Sequence, residues 1–131
     1  MTGNPKRPLS PHLSVWKWGP AMTASIVHRV TGNGLATVGA MLLVGWLVAA
    51  ASGQESYDWY MGWATWWPGK VVAVGITWFF FQHLFGGIRH FVLDTGAGYE
   101  LKTNNFWAKM VWAASIGCTI LVWLIIFWKA L

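Results

Sequence analysis

The sequence predicts an all-α membrane protein of three transmembrane helices. Two observations carry this: only 10% of the 131 residues are charged against 56% hydrophobic, and three apolar runs approach the roughly 20 helical residues needed to cross about 30 Å of hydrocarbon. The runs are Val30 to Ser52, Val71 to Ile88 and Met110 to Trp128. A third observation is where the ionisable groups fall. The first and third runs contain no Asp, Glu, Lys, Arg or His, and the second contains only His83, with Gln82 beside it.

The whole chain, 1–131, reads as one membrane-anchor domain. Residues 1–20 hold all but one of the five prolines, which suits an extended arm on the inner membrane face, with Trp16 and Trp18 at headgroup level. Pro20 fits a first helical turn, where it forfeits no hydrogen bond. Helix one is expected over about 21–52. Residues 53–70 carry Tyr57, Trp59, Tyr60, Trp63, Trp66 and Trp67, and such rings place this outer segment along the interface. Helix two is expected over about 71–94 and helix three over about 107–129.

The net charge of +5 follows the loops and forms no basic face, so it indicates topology and gives no ground for nucleic-acid binding. Lys6, Arg7, Lys17 and Arg29 precede helix one; Arg89, Lys102 and Lys109 flank the second loop; Glu55 and Asp58 lie between helices one and two. The positive-inside bias puts the N-terminus and second loop inside and the C-terminus outside. No apolar h-region precedes the first span, and the initial Met without an Arg-rich, Ser-rich leader points to a bacterial inner membrane rather than mitochondrial import. Cys118 stands alone in the third span as a packing residue.

Small residues Gly32, Ala36 and Ala40 recur on helix one, and Ala113 and Gly117 on helix three. Such stripes let helix backbones approach closely. Three helices make a thin wall around an inward polar group, so partner helices from another subunit are expected.

Chemistry concentrates at His83, an ionisable ring placed where lipid is the solvent. His83, Gly86, Gly87 and His90 share one helix face. Two glycines between two imidazoles leave a flat notch beside a nitrogen ligand, and a haem fits that shape. The two histidines are about 10.5 Å apart along the axis, too far to share one iron. His83 is the deeper and suits the metal; His90 suits a propionate at the haem edge. Ser25, His28 and Arg29 fall at the same inner boundary, where arginine and histidine suit propionate or quinone-carbonyl contacts. Taken singly, Arg29 and Arg89 read as snorkelling topology determinants and His83 as an interhelical hydrogen bonder. Their convergence at one depth favours a functional site.

At these residues the chain resembles the cytochrome b556 membrane-anchor family of succinate dehydrogenase, respiratory complex II. The resemblance is carried by Arg7-Pro8-Leu9-Ser10-Pro11-His12-Leu13, by Ser25-Ile26-Val27-His28-Arg29-Val30-Thr31-Gly32, and by His83 with Gly86-Gly87-Ile88-Arg89-His90 and Asp94. It implies an anchor for a flavoprotein carrying FAD and for an iron-sulfur subunit, a second membrane-anchor subunit as companion, and succinate oxidation elsewhere in the complex. It also implies haem b with His83 as one axial ligand and the other supplied by the companion anchor. Ser25 and Arg29 become ubiquinone-site residues, and His28, Arg29, His90, Gly86 and Gly87 haem propionate or edge contacts. Two competing functions are a quinol:fumarate reductase anchor, which runs the same machinery backwards, and a non-redox assembly or transport component.

Overall fold

The computed structural model describes residues 16–130, with the side chain of Ala130 left aside. Most of the proline-rich arm, including Arg7 to Leu13, therefore lies outside the described residues. The described chain forms four helices: α1, Pro20–Ala51; α2, Gln54–Thr65; α3, Trp67–Asp94; and α4, Leu101–Ala130. Helices α1, α3 and α4 are each long and apolar enough to cross a membrane. This is a multi-pass, all-helical membrane protein; among the described residues there is no strand.

Pro20 occupies the first turn of α1, and Pro68 that of α3, where a missing N–H costs nothing. Gly53, with φ 106°, turns the chain between α1 and α2, a conformation that favours glycine. Most of the aromatic segment between α1 and α3 is itself a helix, α2, and Trp59, Trp63, Trp66 and Trp67 are exposed and meet edge to face in sequence, with centroids 6.5, 5.7 and 6.0 Å apart. Tyr60 fastens α2 to α1. Its ring lies over Gly45 and its hydroxyl donates to the Leu42 carbonyl at 2.7 Å.

Two helices begin earlier than their apolar runs. α3 starts at Trp67 rather than near Val71, and α4 at Leu101 rather than near Trp107. Hydropathy marks the part of a helix that needs lipid, whereas the backbone can stay helical through a polar first turn such as Lys102-Thr103-Asn104.

α1 contains a π-helical stretch, Leu35–Gly39. One inserted residue turns the following face by about 100°. Gly32 accordingly faces α3, while Ala36 and Ala40 of the same small-residue stripe are exposed. Ala113 is exposed as well, and open space surrounds Gly117; the stripes are not consumed inside this chain.

The interior is more polar than the surface. The largest fully buried side chains are Gln82, Thr31 and Ser115, and the buried apolar residues are Ala24, Ala49, Ala108 and Val111. Most Leu, Ile, Val and Trp side chains are exposed, as expected where the surrounding solvent is apolar and helix association rests on packing and interhelical hydrogen bonds.

Candidate functional site

The site is built where α1 crosses α3. His28 on α1 and His83 on α3 stack face to face, centroids 4.1 Å apart and planes 6° from parallel. His90, two turns further along α3, tilts toward His28 with centroids 5.0 Å apart. His28 is thus the centre of a three-imidazole cluster, a position the sequence reading gave to no residue.

Glycines permit this approach. A Cβ at Gly32 would stand 2.7 Å from His83 Cε1 and 3.1 Å from its Nδ1. A Cβ at Gly86 would stand 2.7 Å from His28 Cδ2, and one at Gly87 3.6 Å from His28 Nε2. The notch at Gly86 and Gly87 is therefore not the open flat surface expected for a porphyrin; His28 lies in it.

His83 is oriented by α1. Its Nδ1 lies 3.0 Å from the main-chain carbonyl oxygen of His28. A carbonyl only accepts, so Nδ1 donates, and in the uncharged form of the ring the lone pair is then on Nε2. The acceptor comes from the neighbouring helix. Thr31, fully buried, also directs its hydroxyl to the Val27 and His28 carbonyls at 2.8 and 3.0 Å. This ties the backbone that receives His83 into a local network.

Ser25 and Arg29 fall one turn apart on α1, Ser25 half-buried and Arg29 exposed. Arg29 is thus free to meet groups outside this chain, whereas His28 next to it turns inward. The Nε2 of His28 is buried with no hydrogen-bond partner, which is costly for a polar atom unless another group supplies one.

Arg89 departs from its expected role. It is only 8% exposed, and it turns away from the histidines to donate to Asn104 on α4. A polar seam missed in the sequence reading follows the same α3–α4 contact: Ser115 donates to Gln82 at 2.5 Å, and Trp123 Nε1 donates to the Thr77 hydroxyl at 3.2 Å. The available signal was spacing. Gln82 and Arg89 stand two turns apart on α3, and Ser115 and Thr119 one turn apart on α4.

The geometry is that of an imidazole whose Nδ1 is engaged by a main-chain carbonyl, leaving Nε2 as the ligating nitrogen, flanked by two further imidazoles and an outward arginine. Such an arrangement can bind a metal at one nitrogen. Among the described residues no group of three or more His, Cys, Asp or Glu is arranged to hold a metal ion by itself. The sequence model for succinate dehydrogenase/fumarate reductase transmembrane subunits matches residues 3–122.

The chain belongs to this family. It is 33% identical over 124 residues to the succinate dehydrogenase cytochrome b556 subunit of Paracoccus denitrificans, covering 92% of each chain. The corresponding subunit of Rickettsia felis is 36% identical over 118 residues, covering 90% of this chain and 91% of the relative. The mitochondrial cytochrome b560 subunit of Mus musculus is 31% identical, over 88% of this chain and 64% of the relative. Membership in this anchor family gives the His28–His83 crossing its context: a subunit of a membrane complex, with much of its apolar surface facing outward.

Proposed function

We propose that this chain is the haem b-binding membrane anchor of a succinate:ubiquinone oxidoreductase, in a bacterial inner membrane, with the N-terminus inside and the C-terminus outside. The single observation that carries the proposal is His83, held with Nδ1 toward the His28 carbonyl so that Nε2 is available as a ligand. Relatives called cytochrome b556 subunits support the haem assignment, and the donor chemistry fits it: a neutral imidazole with its other nitrogen engaged is a well-oriented iron ligand.

His83 would hold the haem iron from this subunit. A companion anchor subunit would supply the other iron ligand, its helices covering the exposed small residues Ala36, Ala40, Ala113 and Gly117. The remaining partners are an iron-sulfur subunit and a flavoprotein holding FAD, where succinate is oxidised. When bound, haem b supplies one-electron storage between the iron-sulfur clusters and the quinone.

His28 offers its partnerless buried Nε2 to a propionate, and His90 stands 5.0 Å from His28 ring to ring to do the same. Gly86 and Gly87 contribute by admitting His28, so their contact with the haem edge runs through that ring at Gly86. Ser25 and Arg29 face ubiquinone. Quinone reduction takes up two electrons and two protons, so polar groups near the inner aqueous phase are useful there. Arg29 holds a donor against a quinone carbonyl oxygen as charge develops on it, and the Ser25 hydroxyl hydrogen-bonds the second polar position.

The experiment is quinone reduction by the purified complex. Ser25→Ala should slow it while the haem spectrum stays unchanged. Wild-type turnover in that variant would remove Ser25 from the quinone site.

A further inference from the structure

Helix α3 serves two faces: it gives His83 to α1 and Arg89 to α4. Along the second face, at the Arg89 end, α3 and α4 leave a cavity of about 370 Å³. Phe85, Val92, Leu93, Trp107 and Met110 make its lining apolar, and Arg89 and Asn104 are its polar members. Val92 and Trp107 are exposed, so the cavity opens on the outer surface of the chain.

Arg89 is the anomaly in that groove. It is more than nine-tenths buried, Asn104 accepts from one of its terminal nitrogens, and its Nε has no partner at all. Asn104 is a neutral amide and leaves the charge uncompensated. The acids nearest in sequence are exposed: Asp94 at the end of α3, and Glu100, which accepts from the Thr103 hydroxyl at 3.5 Å. A guanidinium withdrawn from water without a counter-charge is expensive, and its planar fork matches the oxygens of a phosphodiester.

We propose that the α3–α4 groove binds an anionic phospholipid, its phosphodiester on Arg89 and an acyl chain along Phe85, Leu93, Trp107 and Met110. The apolar lining selects a lipid over a free phosphate, which would gain nothing from it. Basic pockets between transmembrane helices take anionic headgroups for the same reason. The proposal is independent of the haem reading, because it concerns the opposite contact of α3.

The test uses the intact complex in detergent with phosphatidylglycerol and phosphatidylcholine probes that carry a photoreactive group on one acyl chain. Phosphatidylglycerol should label the segment 107–114 about fivefold or more over phosphatidylcholine, as expected for a charge-assisted contact. Arg89→Gln should abolish that preference. Ala114→Phe, which keeps Arg89 and fills the groove, should reduce phosphatidylglycerol labelling to a similar degree, and it supplies the answer if Arg89→Gln does not assemble. Millimolar inorganic phosphate should leave labelling unchanged. Equal labelling by the two lipids, undiminished labelling in Ala114→Phe, displacement by inorganic phosphate, or a partner-subunit carboxylate crosslinked to this groove in place of lipid would each overturn the proposal.

Discussion

His83 Nδ1 lies 3.0 Å from the main-chain oxygen of His28, a residue 55 positions earlier, and the two imidazoles stack 4.1 Å apart. One residue thus provides both the hydrogen-bond acceptor that fixes the tautomer of His83 and the surface against which its ring rests. Orientation of a ligand by a partner on another helix makes the ligand sensitive to helix packing.

Gly32→Ala should disturb the ligand without touching it. The new methyl would stand 2.7 Å from His83 Cε1, and the ring or α1 must move, at a cost of about 1–3 kcal/mol for overpacking. Haem per complex, measured as the pyridine haemochrome, should fall. Full haem occupancy in this variant would mean that α1 does not set the position of His83.

Gly86→Ala acts on the other ring. Its methyl would meet His28 Cδ2 at 2.7 Å, displacing the imidazole assigned to a propionate while the His28 main-chain carbonyl stays to accept from His83 Nδ1. The expected result is retained haem with a shifted midpoint potential, read by redox titration of the b-type absorbance. An unchanged potential would argue against a role for His28 at the haem edge.

The polar seam between α3 and α4 predicts an asymmetric pair of results. Ser115→Ala removes the hydroxyl that donates to fully buried Gln82 and should destabilise the complex by about 1–3 kcal/mol, the cost of an unsatisfied buried group. Gln82→Leu combined with Ser115→Ala should recover much of the loss, because neither partner is then left unpaired. Thermal inactivation of the complex measures both; equal losses in the single and double variants would contradict the pairing.

Tyr60→Phe should have a small effect. It deletes one hydrogen bond to the Leu42 carbonyl on an exposed edge, worth about 0.5–1.5 kcal/mol, and should lower thermal stability slightly while leaving haem content intact.

Much of the fold was legible because lipid imposes a simple rule: long apolar runs become helices that satisfy their own backbone. The start of α3 at Trp67 and of α4 at Leu101 was less legible, since a helix can outrun its hydrophobic stretch. The π-helical stretch Leu35–Gly39 was not legible at all; an inserted residue changes which side chains face inward but leaves no mark in residue type. At the site, His83 stood out by its depth in the apolar run. The placement of His28 over Gly86 depends on how α1 and α3 cross, and no spacing within one helix encodes that. Arg89 shows the same limit. Its position at a helix end suggested snorkelling to water, but Asn104 on the next helix draws it inward.

The most direct test of the haem assignment is a succinate-reduced minus air-oxidised spectrum of the complex, purified through a tag on this subunit, for wild type and His83→Ala. The wild-type complex should show a b-type band and co-purify with flavoprotein and iron-sulfur subunits, and His83→Ala should lose that band while the succinate-oxidising subunits stay active. An identical band in His83→Ala, or a colourless wild-type preparation without those partners, would contradict the assignment of His83 as the iron ligand.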